Sequence, residues 1–242
     1  MILTQTEQKE RAAIHAVHAL LAEGLLFPVM KIGLGTGSTV APAIQEIARL
    51  AQSGALAGIK AAVTSFQTEI LCEELGIPVY SLNSRQLGGS LDAAIDGADE
   101  IDPQNRLIKG GGAALLREKI VAYSAKRFIV VADETKAVAS LGAAFPLPVE
   151  VVAEARVSVA ARLAETGASC VLREGVRKCG PVITDSGNMI LDCRWQNPVD
   201  PAEYEALINA ITGTVENGFF TRRSPLVFIG KADGSVEARG SA

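Results

Sequence analysis

Apolar residues return along this chain in two rhythms. Ile14, Val17 and Leu21 recur at near-helical spacing behind a charged start and predict a helix over residues 5–25. A short apolar run at 29–34 reads as a strand and breaks into Gly35-Thr36-Gly37-Ser38-Thr39, after which Val40, Ile44 and Ile47 predict a second helix. The next unit has a strand at 59–64, a helix at 66–75, a turn at Gly76-Ile77-Pro78 and a short strand at 79–82. Residues 51–58, small and polar, read as a surface connection. Further strands are expected at 91–95 and 128–132, with a helix beginning near Ala113 between them. Strands alternating with helices in this way imply an α/β domain: a three-layer, Rossmann-like, mostly parallel sheet.

At Phe145-Pro146-Leu147-Pro148 the rhythm changes, because two prolines in three residues interrupt regular structure. Beyond them the pattern predicts a strand at 149–152, a helix at 154–165, strands at 170–173 and 189–193, a helix at 201–211 and a strand after Val215. That βαββαβ order suits a smaller, ferredoxin-like α+β domain. The apolar run 226–229 reads as a return to the first sheet, so the expected division is 1–145 with 221–242 against 146–220.

Composition narrows the class. Over 242 residues, 48% apolar and 21% charged content supports a substantial core and excludes disorder. A formal net charge of −4 gives no general attraction to nucleic acid or anionic membranes, so an anionic ligand needs local cations, for which Lys109 and Lys136 are the candidates. Apolar runs fall far short of the roughly 20 residues of a membrane helix. The start MILTQTEQKER lacks the apolar core of a signal peptide, and Cys72, Cys170, Cys179 and Cys193 show neither a CxxC pair nor metal-type spacing. The expectation is a reduced, cytoplasmic protein. His15 and His18 lie three apart on the first helix with no carboxylate or cysteine suitably placed to complete a metal site, and no metal is assigned to them.

The candidate chemistry is concentrated in residues 96–119, DGADEIDPQNRLIKGGGAALLREK. Asp96 and Asp99 stand where a strand gives way to a loop, Gly97 lets the backbone turn there, and strand ends of open α/β sheets are where ligands bind. Lys109 closes a short apolar run, and Gly110, Gly111 and Gly112 let the main chain approach a ligand before the next helix. Within that helix Glu118 has Ala114, Leu115, Val121 and Ala122 as neighbours one turn away, a setting in which desolvation raises a carboxylate toward a useful base. Arg117 and Lys119 also have mainly apolar neighbours, so a solvated charged face is the competing reading of the trio. The loop Gly35 to Thr39 offers free N–H groups at a helix start, close approach at Gly37 and hydroxyls on Thr36, Ser38 and Thr39, as a phosphate cradle requires. The competing reading is a plain strand-to-helix turn capped by Ser38. GLGTGS lacks the third glycine of a dinucleotide fingerprint, and no GxxxxGK[ST] exists in the chain.

An anion-holding loop, carboxylates and a lysine suit a phosphorylated sugar undergoing proton transfer beside a carbonyl. At this level of detail the chain resembles the type A ribose-5-phosphate isomerases. GTGST at 35–39, DGADEID at 96–102, KGGGAALLREK at 109–119, DETK at 133–136, FPLPVEV at 145–151 and TDSGNMILD at 184–192 fall in that family's order. The resemblance implies interconversion of D-ribose 5-phosphate and D-ribulose 5-phosphate through an enediol, in the non-oxidative pentose phosphate branch, without metal or cofactor. It makes Glu118 the proton acceptor, Asp96 a group assisting ring opening, and Asp99 and Lys109 partners of the reacting oxygens. Thr36, Gly37, Ser38, Thr39, Gly97, Ala98, Gly110, Gly111, Gly112 and Lys136 would complete the substrate pocket, with Lys136 near the phosphate. It also implies a homodimer or homotetramer. Two other readings fit a related fold. A non-catalytic sugar-phosphate sensor would not need Glu118, and the chain shows no helix-turn-helix or basic stripe to reach DNA. An amino-sugar phosphate deaminase calls for a site histidine, and the only histidines are His15 and His18.

Overall fold

The computed structural model describes residues 2–177 and 179–240. In chain order its first elements are α1 (Gln5–Ala22), β1 (Lys31–Leu34), α2 (Ala41–Gln52), β2 (Lys60–Val63), α3 (Phe66–Glu74) and β3 (Leu91–Asp96). Then come the short strands β4 (Glu100–Ile101) and β5 (Leu107–Ile108), followed by α4 (Leu115–Ser124) and β6 (Ala125–Asp133). The remainder comprises β7 (Leu147–Val151), α5 (Arg156–Glu165), β8 (Ala168–Leu172), β9 (Met189–Trp195), α6 (Pro201–Asn209), β10 (Thr214–Asn217), β11 (Phe219–Phe220), β12 (Leu226–Gly230) and β13 (Val236–Arg239). Among the described residues no helix is long and apolar enough to cross a membrane.

The described residues fall into two compact units. The first lies within Met1–Ala98, Arg117–Lys136 and Ser224–Ala242, the second within Asp99–Leu116 and Ala137–Arg223. The first holds a six-stranded sheet in the order β13-β12-β6-β3-β1-β2, parallel except for β13. Helix α1 starts sharply because Thr4 and Glu7 form a capping box, and it ends before Gly24, which takes a positive φ of 70°. Ala13, Val17 and Leu20 of α1, with Ile44 and Ile47 of α2, bury one face of the sheet: Ile32, Leu34, Ala93, Ile95, Ile129 and Val131. Each such Ile or Leu contributes about 1.5–3 kcal/mol relative to exposure. Gly33 alternates to the other face, where a Cβ would stand 2.4 Å from Val121 Cγ1 of α4 and 2.9 Å from Ala94 Cβ. A helix on each face makes three layers, the α/β arrangement expected.

The second unit carries the βαββαβ run β7-α5-β8-β9-α6-β10 as an antiparallel sheet in the order β10-β7-β9-β8, the ferredoxin-like arrangement. A second, three-stranded sheet, β11-β5-β4, belongs to the same unit. It draws in residues 99–116, which the sequence pattern assigned to the larger domain, since Leu107 and Ile108 pair with Phe220 and Phe219. Residues 137–145 join the same unit because the buried carboxylate of Glu100 accepts the N–H groups of Gly142, Ala144 and Phe145 at 2.6, 3.0 and 2.7 Å. Residues 221–223 lie with it too. The strand expected at 79–82 is reduced to one parallel bridge, Ala61 to Val79. The Ser81 hydroxyl accepts the Asn83 N–H and the Ser81 carbonyl accepts the Ser84 N–H, which turns the chain away from β2 at once.

Gly230 of β12 lies where a Cβ would be 2.1 Å from the Gln8 carbonyl oxygen of α1, a backbone atom with no rotamer to move. Gly230→Ala is expected to lower stability by about 1–3 kcal/mol. Urea unfolding measures this, and an unchanged midpoint would show that α1 lifts from the sheet without cost.

Candidate active site

In the first unit the chain reverses its direction of travel across the sheet between β1 and β3. From β1 it steps outward to β2, then returns to β3 and continues to β6 on the far side, so the carboxyl ends of β1 and β3 flank a topological switch point. Leu34 pairs with Ile95, which brings Gly35 beside Asp96. A Cβ on residue 35 would stand 1.9 Å from Asp96 Oδ1 and 2.8 Å from Asp96 Cα, so only glycine fits. The buried Asp96 carboxylate takes the Gly97 N–H at 2.8 Å and the Thr36 N–H at 3.3 Å through Oδ1, charge-assisted bonds that fix its direction. Gly97 itself packs near Thr39 and Val40, and Ala98 is half-buried behind it.

The GTGST loop leads into α2 with Gly37 at a φ of +104° and its carbonyl receiving the N–H groups of Val40 and Ala41. The N-cap of α2 is Val40, without a side-chain bond, and Pro42 stands in the first turn. Ser38 therefore does not cap the helix, and the plain-turn reading loses its physical reason. The Thr36 hydroxyl is engaged by the protein, at 2.6 Å from Thr64 Oγ1 and 2.7 Å from Ser65 Oγ, in a cluster closed by Thr68 donating to the Gly35 carbonyl. Among the described residues no protein group bonds the N–H or hydroxyl of Ser38 or Thr39. Donors without partners at a helix start are what an anion needs.

Helix α4 presses Val121 onto Gly33, and Glu118, one turn earlier on the same side, is buried with 5% of its surface accessible. Lys119 is buried as well, with Nζ 6.0 Å from the Tyr123 ring, and Arg117 stacks over Phe66 at 5.4 Å. A solvated charged face is thus not what this trio forms. At the end of β6 the fully buried Asp133 collects the Thr135 N–H at 3.0 Å, the Thr135 hydroxyl and the Gln5 amide at 3.2 Å. Lys9 Nζ stands 3.9 Å from the same carboxylate. The turn so fixed carries the half-buried Lys136, whose ammonium group has no protein partner among the described residues.

The second unit holds Asp99, Lys109 and the triple glycine. Asp99 Oδ2 accepts the Gly111 N–H at 2.7 Å, and a Cβ on residue 111 would be 2.6 Å from Asp99 Oδ1. Gly110, at a φ of +102°, would drive a Cβ to 2.8 Å from Leu115 Cβ, whereas Gly112 has open space around it. Lys109 is buried, with Nζ 5.7 Å from the centre of the Phe220 ring and its N–H on the Gly218 carbonyl at 3.0 Å. Sequence reasoning missed Arg173. Its Nη1 donates to the carbonyls of Gly110 and Gly111 at 2.8 and 3.1 Å, while Nε and Nη2 hold both oxygens of Asp192 at 2.9 and 2.5 Å. The glycine turn is therefore gripped through its N–H by Asp99 and through its carbonyls by Arg173. An arginine ending a predicted strand carried no sign of a partner more than sixty positions away. The remaining acids of the motif are structural: Glu100 ties down 142–145, and Asp102 takes the N–H groups of Gln104 and Arg106 and the Arg106 Nε. The two histidines are occupied separately, His18 Nε2 at 2.8 Å from Glu46 and the His15 ring 6.0 Å from that of Phe228.

This arrangement has close counterparts. The model of the family described as ribose 5-phosphate isomerase A (phosphoriboisomerase A) matches residues 60–234. The ribose-5-phosphate isomerase A of Treponema denticola is 57% identical over 234 residues, which is 96% of this chain and 98% of that protein. The chain belongs to the ribose 5-phosphate isomerase A family. The isomerase A structure from Methanocaldococcus jannaschii aligns over 98% of this chain and 100% of its own, at 40% identity and a TM-score of 0.89. A D-ribose-5-phosphate isomerase solved in complex with phospho-erythronic acid aligns over 99% of this chain and 100% of its own, at 39% identity and a TM-score of 0.91.

For a ribose 5-phosphate isomerase A the contact of Gly35 with Asp96 is a sensitive point. Gly35→Ala must push the carboxylate out of the place set by the Gly97 and Thr36 N–H groups. Turnover of ribose 5-phosphate is expected to fall by about 10²-fold, the usual cost of misplacing a group by an ångström. Steady-state kinetics on protein shown to be folded by circular dichroism tests it, and near-normal turnover would remove Asp96 from the reaction.

Proposed function

We propose that this chain interconverts D-ribose 5-phosphate and D-ribulose 5-phosphate by proton transfer through an enediolate, with Glu118 carrying the proton. The observation that carries the reading is nearly full-length likeness, at 57% identity, to a protein that bears this activity as its name. The ligand held by one family structure, phospho-erythronic acid, adds chemical support. It is an aldonic acid phosphate, with a carboxylate at one end that shares the planarity and negative charge of an enediolate, and a phosphate at the other.

In this reading Asp96 assists opening of the furanose to the aldehyde. The Glu118 carboxylate takes the proton from C2, the C–H electron pair forms the C1–C2 double bond, and the carbonyl electrons move to O1. Lys109, Asp99 and Asp96 hold the two oxygens while charge is on them, stabilisation that counts most in a site shielded from water. Glu118 then returns its proton to C1 while the proton of the O2 hydroxyl passes to O1, and the ketose results. Burial of Glu118 supports its role, because a carboxylate shielded from water exchanges its proton with the bound substrate rather than with solvent. Gly37, Ser38 and Thr39 with Lys136 take the phosphate, and Thr36 supports that loop from within. Gly97, Ala98 and the turn of Gly110, Gly111 and Gly112 shape the approach to the sugar. The same reading includes the non-oxidative branch of the pentose phosphate pathway, a cytoplasmic setting, a homodimeric or homotetrameric assembly and no metal or cofactor.

Glu118→Gln keeps the shape and removes the base, so kcat is expected to fall by about 10²–10⁴-fold with KM nearly unchanged. In D₂O the wild type is expected to place solvent deuterium on the carbon that gains the proton, and to do so with EDTA present. Activity near wild type in the glutamine variant, or an EDTA-sensitive reaction without deuterium uptake, rejects the mechanism.

Lys136→Ala is expected to raise KM for ribose 5-phosphate with little change in kcat, since a phosphate contact is made in ground and transition states alike. Unphosphorylated ribose is expected to be a very poor substrate for both proteins. A fall in kcat at constant KM would move Lys136 to the reacting carbons.

A further inference from the structure

Two of the four cysteines face each other in the second unit, in the antiparallel pair β8 and β9, where the register sets Cys170 opposite Cys193. Just beyond that ladder the Arg173 N–H donates to the Ile190 carbonyl. Hydrogen-bonded and non-hydrogen-bonded pairs alternate along antiparallel strands, so counting back puts Cys170 and Cys193 at a non-hydrogen-bonded position. There the Cα atoms are closest, at about 4.5 Å, which falls inside the range a disulfide spans. The sulfur atoms are already 3.2 Å apart as free thiols.

We propose that Cys170 and Cys193 are a redox-active dithiol that a hydroperoxide converts to an intramolecular disulfide between β8 and β9. Access and acidity divide the work between them. β8 is an edge strand of its sheet, and Cys170 on it is half-buried, whereas Cys193 is fully buried between β7 and β8. The Cys193 S–H donates to Cys170 Sγ, which draws the Cys170 thiol below its usual range; the same bond, with burial, pushes Cys193 up. Thiolates, not thiols, attack peroxides. The Cys170 thiolate attacks one peroxide oxygen, the O–O bond breaks, and the departing oxygen leaves as water after protonation, giving a sulfenic acid. Cys193 then attacks the Cys170 sulfur, loses its proton and expels the second oxygen as water. Two thiols are oxidised by two electrons in total, and one hydrogen peroxide is reduced to two waters. A thiol reductant reverses the change by exchange.

The other cysteines lack this arrangement. Cys72 is buried in the first unit, and burial pushes its thiol up to about 11. Cys179 is exposed and lies outside the strands, so no ladder holds a second cysteine against it.

The test treats the reduced full-length protein with a small excess of hydrogen peroxide, then blocks thiols and maps peptides without reductant. Free thiols are expected to fall from four to two, with one cross-linked species joining the Cys170 and Cys193 peptides, lighter by two hydrogens and restored by dithiothreitol. In Cys193→Ser the same treatment is expected to stop at a sulfenic acid on Cys170, trapped by dimedone. Cys170 and Cys193 both remaining alkylatable while Cys179 oxidises would overturn the proposal, as would a disulfide formed mainly through Cys179 or between molecules.

Discussion

Strands β1 and β3 are joined in the chain only through α2, β2 and α3, yet they lie side by side, and what limits their neighbours is the absence of side chains at Gly33 and Gly35. On one face the bare Gly33 lets Val121 of α4 reach the sheet, which in turn carries Glu118 into a buried position. At the strand end the bare Gly35 lets the Asp96 carboxylate sit against the backbone and collect N–H groups from both sides of the switch point. Burying a carboxylate without such bonds costs several kcal/mol. The same glycines that permit the close approach thus put the compensating donors within reach.

Carboxylates holding main-chain N–H groups recur through both units, and this separates the acids of one short motif by role. Asp96 and Asp99 bind the loops at which they stand, through Thr36 and Gly97 in one case and Gly111 in the other. Glu100 and Asp102, further along the same motif, point into the second unit and tie down its turns. Asp133 does the same for the turn bearing Lys136. A loop pinned through its backbone keeps its remaining donors aimed in one direction, which is the property a site for a charged transition state requires.

Much of this was legible in the residues because it is local. The βαββαβ run stood out from strand-length apolar segments set between prolines and polar turns, and its order survives in the sheet β10-β7-β9-β8. The loops at 35–39 and 96–99 were legible because a strand running into glycine announces its own end. What escaped depends on partners remote in sequence. Nothing around Arg173 points to Gly110, and nothing around Thr36 points to Thr64 and Ser65, since each pairing exists only once other strands are in place. Residues 99–116 looked continuous with the strand before them, but pairing of β5 with β11 outweighs chain continuity. Val79 and its successors had strand-like composition, and the Ser81 turn overrode it.

The position of β12 has a consequence for synthesis of the chain. It lies between β6 and β13, and its register with β6 runs from Leu226 through Gly230. The whole run from β7 to β11 must therefore leave the ribosome before β12 can complete the central sheet, and until then the apolar run of β6 is an open edge. Exposed strand edges pair readily with other chains. The late arrival of this five-residue strand leaves the growing chain exposed to misassociation for as long as the run from β7 to β11 takes to emerge.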